Sequence, residues 1–116
     1  MHLVPAERAH RHVIDEHRVC RAVEGLPDRA EVQAQASRFG LLADPTRLAL
    51  LLCIHTAGPI AVTDLAVATG FNDATVSQAL RLLRAAGAVT AARDGRTMRY
   101  TVAEPALLAL LASANR

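Results

Sequence analysis

The chain has 116 residues, 52% of them hydrophobic and only three aromatic, with 13 basic residues against 11 acidic for a formal net charge of +2. That length sets one domain with a core of Leu, Val and Ala, and excludes a second independent core. No run of about eighteen apolar residues is present to span a bilayer and no secretory segment is recognisable, so a cytoplasmic location is expected, with Cys20 and Cys53 as reduced thiols.

Residues 1–9 show no periodicity. A helix is expected from about His10 to Glu24, where Val19, Val23 and Leu26 form an i, i+4, i+7 stripe that Gly25-Leu26-Pro27 ends. Asp28 can start a second helix, with Val32, Gln35 or Ala36, Phe39, Leu42 and Ala43 at helical spacing. Asp44-Pro45 then restarts the chain as cap and first turn of a third helix, in which LALLLCI is apolar around nearly the whole circumference. This helix is the expected buried centre. Gly58-Pro59 breaks it, and Ile60-Ala61-Val62 suits one short edge strand.

Residues 63–102 carry the functional signal. Thr63 is an expected N-cap for a helix that Gly70 ends, and Asn72 or Asp73 an expected cap for the next. In that second helix Val76, Ala79, Leu80 and Leu83 form an inward stripe, and Gly87 supplies a stop. Placing the stripe inward turns Ala74, Gln78 and Arg81 outward together. An amide that pairs with adenine N6/N7 and a guanidinium that pairs with guanine O6/N7 suit the floor of a major groove. Two β-compatible runs then flank Asp94-Gly95, the expected tight turn of a hairpin rimmed by Arg93, Arg96 and Arg99. Met98, Tyr100 and Val102 alternate with Thr97, Arg99 and Thr101, so one face can cover a core. Over residues 72–100, five arginines (81, 84, 93, 96, 99) oppose two acids (73, 94), an excess of three positive charges suited to phosphate oxygens. A charge run alone is as often a solvated face. Joined to the two-helix unit it reads as a DNA-binding wing. Pro105 opens a last apolar helix to about Ala114.

The runs FGLLADPTRLALLL, VTDLAVATGFNDATVSQALRLLRAAGAV and DGRTMRYTV resemble the ArsR/SmtB family of bacterial winged-helix repressors, over about residues 28–104. The resemblance implies a mainly α fold with a small β-hairpin wing: a winged helix-turn-helix, dimeric through its first and last helices. It implies a homodimer on an inverted-repeat operator in double-stranded DNA that leaves when a metal or other inducer binds. By motif matching, Thr75, Ser77, Gln78 and Arg81 fall on the recognition helix and Arg96 on the wing tip. With Thr63, Ala74 and Arg93 these make up the expected DNA-binding set. The organisation expected is an N-terminal His/Cys-containing segment and first helix over residues 1–27, used in dimerisation, and a winged helix-turn-helix over residues 28–116 with a C-terminal dimerisation helix. The apolar stretch ALLALLA supports a contact surface, although folding back onto its own core would also bury it.

The sensing sites common in the family are absent. Where many relatives carry Cys-x-Cys at the start of the first reading-unit helix, this chain has Ala61-Val62-Thr63-Asp64; where others carry Asp-x-His at the start of the last helix, it has Glu104 and Ala106. The donors left are His2, His10, His12, His17 and Cys20, then Cys53 and His55. On a continuous helix His12, Glu16 and Cys20 would share a face, and His17 lies three residues from Cys20. Such nitrogen and sulfur donors favour zinc, nickel, cobalt or copper. The expected metal set is therefore Cys20 and His17, then His12, Cys53 and His55. The alternatives are a small buried hydrophobe for Cys20, a core residue for Cys53, a C-terminal helix cation for His55, and a regulator that is metal-independent or thiol-responsive. An enzyme is not expected: no glycine-rich phosphate loop, metalloprotease helix motif or nucleophile elbow occurs.

Overall fold

The computed structural model describes residues 4–8 and 11–114; His2 and His10 lie outside the described residues. The chain forms two compact units, Met1–Ser37 and Arg38–Arg116.

In the first unit a single 3-10 turn, Ala6–Arg8, precedes helix α1, Glu16–Glu24. The helix expected from His10 starts instead at Glu16, after Asp15, whose extended backbone (φ −139°) and carboxylate, accepting from the Arg18 N–H at 3.1 Å, satisfy a first-turn donor and define the end. His12 is consequently outside α1, and the face joining it to Glu16 and Cys20 is not built. No residue of α1 is buried; Val19 and Val23 are half-buried and Leu26 is 59% exposed. Helix α2, Arg29–Leu42, starts as expected, with the Asp28 carboxylate accepting from the Glu31 N–H at 2.8 Å.

The second unit is organised by helix α3, Pro45–Ala57. Asp44 caps it, accepting from the Arg47 N–H at 2.9 Å. The Arg47 guanidinium turns back and donates to the carbonyls of Leu41 and Gly40, both at 3.2 Å, which satisfies the open end of α2. Leu50, Leu51 and Ile54 of α3 are the centre of the core, as the apolar run predicted. Strand β1, Ile60–Ala61, pairs antiparallel with β3, Thr97–Val102, which pairs on its other side with β2, Val89–Asp94, in the order β1-β3-β2. Gly58 sits where α3 meets this sheet: a Cβ there would lie 2.6 Å from the Ile54 carbonyl oxygen and 3.0 Å from that of Tyr100, so only glycine fits without a backbone shift.

Helices α4, Val62–Thr69, and α5, Asp73–Ala85, follow directly. The expected Thr63 cap is not formed: Ala61 is the capping position, without a side-chain hydrogen bond, because the helix springs straight from β1 and Thr63 falls in its first turn. Gly70 (φ +78°) ends α4, and Asn72 caps α5, its side chain accepting from the Thr75 N–H at 2.8 Å. Helix α6, Pro105–Ala114, buries Leu107 and Leu111 in the unit's own core and leaves Leu108 37% exposed. Arg38 of α2 donates from Nε to Glu104 just before α6 at 2.6 Å, an ion pair whose side chains are only 24% and 29% exposed. Among the described residues no single helix is long and apolar enough to cross a membrane.

Candidate nucleic-acid interface

Helix α5 presents two chemically different faces. Val76, Leu80 and Leu83 are at most 1% exposed and lock it against α3 and α4. At this register Ala74, Gln78 and Arg81 are all exposed, as the inward stripe required, and Thr75 and Ser77 are half-buried on the flanks. The turn into α5 is held from α4, where the Thr69 hydroxyl donates to the Leu65 carbonyl at 2.7 Å and accepts from the Phe71 N–H at 3.3 Å. Thr63 is exposed on α4. The side chains of Gln78 and Arg81 make no hydrogen bond or ion pair to described residues, so their donors are free for an outside partner.

The hairpin differs from expectation in its turn. Asp94 pairs with Thr97, so the two-residue loop is Gly95-Arg96 rather than Asp94-Gly95. Gly95 alone takes a positive φ, +64°, at the first loop position, as a type II′ turn requires. Moving the turn by one residue returns Asp94 to the strand, where its carboxylate lies 3.1 Å from the Arg99 Nε, an ion pair by distance without hydrogen-bond geometry. Arg99 stands opposite Ala61 on one side and Ala92 on the other, two small neighbours that leave it room to lie half-buried. The wing is left with Arg93 and Arg96 exposed and without an acid partner among the described residues.

Two residues outside the expected DNA-binding set complete this surface. Arg84 and Tyr100, together with Ser77, Leu80, Arg81 and Ala85, line an open groove of about 520 Å³ between α5 and β3. Arg84 was visible as part of the basic excess, but the partner strand that makes a groove of its face belongs to the tertiary fold.

The candidate metal ligands are not gathered. His17 is exposed and Cys20 half-buried, three residues apart on α1; His12 is exposed outside that helix. On α3, Cys53 and His55 are half-buried but two residues apart, a spacing that puts them on different faces. The His55 Nδ1 is buried without a hydrogen-bond partner, so the expected contact with terminal carbonyls through that atom is not made. Cys53 instead borders a mainly apolar groove of about 380 Å³ with Leu52, Thr56, Ala57, Ile60 and Ala68. Among the described residues no three His, Cys, Asp or Glu side chains come together as a metal site.

A helix pair punctuated by Gly70 and followed by a hairpin on a three-stranded sheet defines a winged helix-turn-helix, the architecture of DNA-binding transcriptional regulators. A family model described as a helix-turn-helix domain matches residues 42–91. The chain is 40% identical over 86 residues to the transcriptional regulator NmtR of Mycobacterium tuberculosis, covering 74% of this chain and 70% of that protein. It is 33% identical over 95 residues to the transcriptional repressor SmtB of the same species, covering 82% and 70%. Among solved structures, the antimony-specific transcriptional repressor AntR superposes with a TM-score of 0.68 at 29% identity, covering 96% of this chain and 88% of that one. A homodimeric winged helix-turn-helix DNA-binding domain from Mycobacterium bovis superposes with a TM-score of 0.63 at 36% identity, covering 78% and 84%. The chain belongs to the ArsR/SmtB family of DNA-binding transcriptional regulators.

Proposed function

We propose that the protein is a cytoplasmic, homodimeric repressor that reads an inverted-repeat operator through Gln78 and Arg81, with Ala74, Thr75 and Ser77 beside them, and steadies itself on phosphates through Arg93 and Arg96, with Thr63 at the edge. The observation that carries this reading is the pair of faces on α5: one fully buried, the other exposed with its amide and guanidinium uncommitted. Dimerisation is supported by the homodimeric M. bovis relative and by Phe39 of α2 and Leu108 of α6, apolar side chains left 55% and 37% exposed for a second copy to cover. If Gln78→Ala combined with Arg81→Ala binds a selected operator and a scrambled duplex as the wild type does, the groove assignment is wrong. Binding in which operator preference disappears and non-specific affinity persists is the expected result.

Release by a transition metal is the regulatory part of the proposal. Each chain offers His17 and Cys20 on one turn of α1, two donors where a tetrahedral ion takes four. The set is complete if the partner's His17 and Cys20 supply the other two. Support comes from the AntR relative, whose name records antimony, and from the spacing of His17 and Cys20, which share a face of α1 whereas Cys53 and His55 on α3 do not. The expected result is one zinc, nickel, cobalt or copper ion per dimer purified without chelator, lost in Cys20→Ser, with metal weakening DNA binding. A metal-free protein whose DNA affinity ignores all four ions overturns it. DNA release by oxidants or thiophilic reagents instead would move the sensor to the thiols of Cys20 and Cys53.

A further inference from the structure

The groove between α5 and β3 has a chemistry that base reading does not use. Ser77, Arg81, Arg84 and Ala85 lie at i, i+4, i+7 and i+8 on α5 and so share one side of the helix, and Tyr100 faces them from the central strand. Leu80, only 1% exposed, lies at the base of the groove and belongs to the core. Both guanidinium groups on the rim are exposed, and neither Arg84 nor Tyr100 has a polar partner among the described residues. Asp94, the hairpin's own acid, lies 3.1 Å from Arg99 on the other face of β3, and no acidic residue lines the groove.

Duplex geometry says what would enter such a groove. A helix in a major groove and a wing over the adjacent minor groove are separated by one sugar-phosphate strand, and that strand must cross the gap between the two protein elements. The gap is this groove. We infer that Arg84 and Tyr100 seat a backbone phosphate of the DNA. The Arg84 fork donates two N–H groups to the phosphate oxygens, the phenol donates one uncharged O–H, and the Ser77 hydroxyl is in reach of the same rim. This contact rests on the DNA-reading function proposed above and adds to it a residue pair that carries no sequence information. It sets the angle at which α5 and the wing straddle the strand, which positions Gln78 and Arg81 over the bases.

The test is titration of the full-length protein with an operator selected from random duplexes and with its scrambled counterpart, across a range of salt. Arg84→Gln is expected to weaken both duplexes by the same factor and to flatten the plot of log affinity against log salt by about one phosphate contact. Tyr100→Phe should weaken both with the slope unchanged, because it removes a neutral donor. Arg84→Lys should restore the slope. An operator carrying one neutral methylphosphonate linkage at the crossing should reproduce the loss, and the same duplex should show no further loss with Arg84→Gln. Wild-type operator preference together with an unaltered slope in Arg84→Gln overturns the phosphate seat and leaves the DNA reading intact. A wild-type protein with neither operator preference nor salt dependence overturns the DNA reading itself. Inorganic phosphate replacing chloride at equal ionic strength should leave the isotherm unchanged. Selective, Arg84-dependent inhibition by it would assign the groove to a free phosphate ligand and overturn the inference.

Discussion

The reading unit and the N-terminal segment are built on opposite principles. Over residues 58–104 every element contributes at least one side chain to a common core or is pinned to one that does: Leu65 on α4, Val76, Leu80 and Leu83 on α5, Val89 and Val102 on the wing strands. Helix α1 has a good cap and amphipathic spacing but buries no residue. A nine-residue helix is marginal in water without tertiary packing. The core behind α5 is thus closed within one chain, whereas α1 buries no side chain that would stabilise it. Under the proposed function that asymmetry suits a regulator whose reading surface is constant and whose N-terminal segment responds.

The comparison can be put to measurement. The largest effect is expected in the core: Leu83→Ala should lower unfolding free energy in urea by about 3 kcal/mol, whereas Val23→Ala should cost below about 1 kcal/mol. Equal losses would mean that α1 is as firmly integrated as α5. Next comes Gly58→Ala, whose added Cβ meets the Ile54 carbonyl oxygen at 2.6 Å; overpacking of this kind costs about 2 kcal/mol and should lower the thermal midpoint. Gly95→Ala, forced to hold φ near +64°, should cost about 1 kcal/mol and loosen the wing, seen as faster amide exchange over β2 and β3. Removing the α5 cap with Asn72→Ala should cost about 1 kcal/mol at most, read as a small shift of the urea midpoint. Smallest of all, Gln78→Ala should leave stability within about 0.5 kcal/mol of wild type, because the side chain is exposed and unbonded.

Legibility in the sequence followed the range of the interaction involved. Caps at Asp28, Asp44 and Asn72 were readable because each joins residues three apart. The Thr63 cap failed because β1 pairs with a strand some forty residues away, and that pairing decides where α4 begins. The wing turn slipped by one residue for a similar reason. Asp94-Gly95 is a good turn dipeptide locally, but the register that pairs Val89 with Val102 makes Gly95-Arg96 the loop. The His12, Glu16, Cys20 face depended on a helix that a nearer cap, Asp15, starts too late.

Periodicity and capping in the amino-acid order were enough to indicate the helices α1 to α6, though not the starts of α1 and α4, and the inward stripe of α5 with the outward direction of Gln78 and Arg81, since these depend on spacings within about two turns. The division of α6, with Leu107 and Leu111 packed inward and Leu108 37% exposed, emerged only in the folded chain. So did the ion pair of Arg38 with Glu104, the approach of Asp94 to Arg99 and the placing of Arg84 and Tyr100 along one groove. Those contacts join separate elements through register and packing, and no local pattern encodes which strand or helix a given side chain will meet.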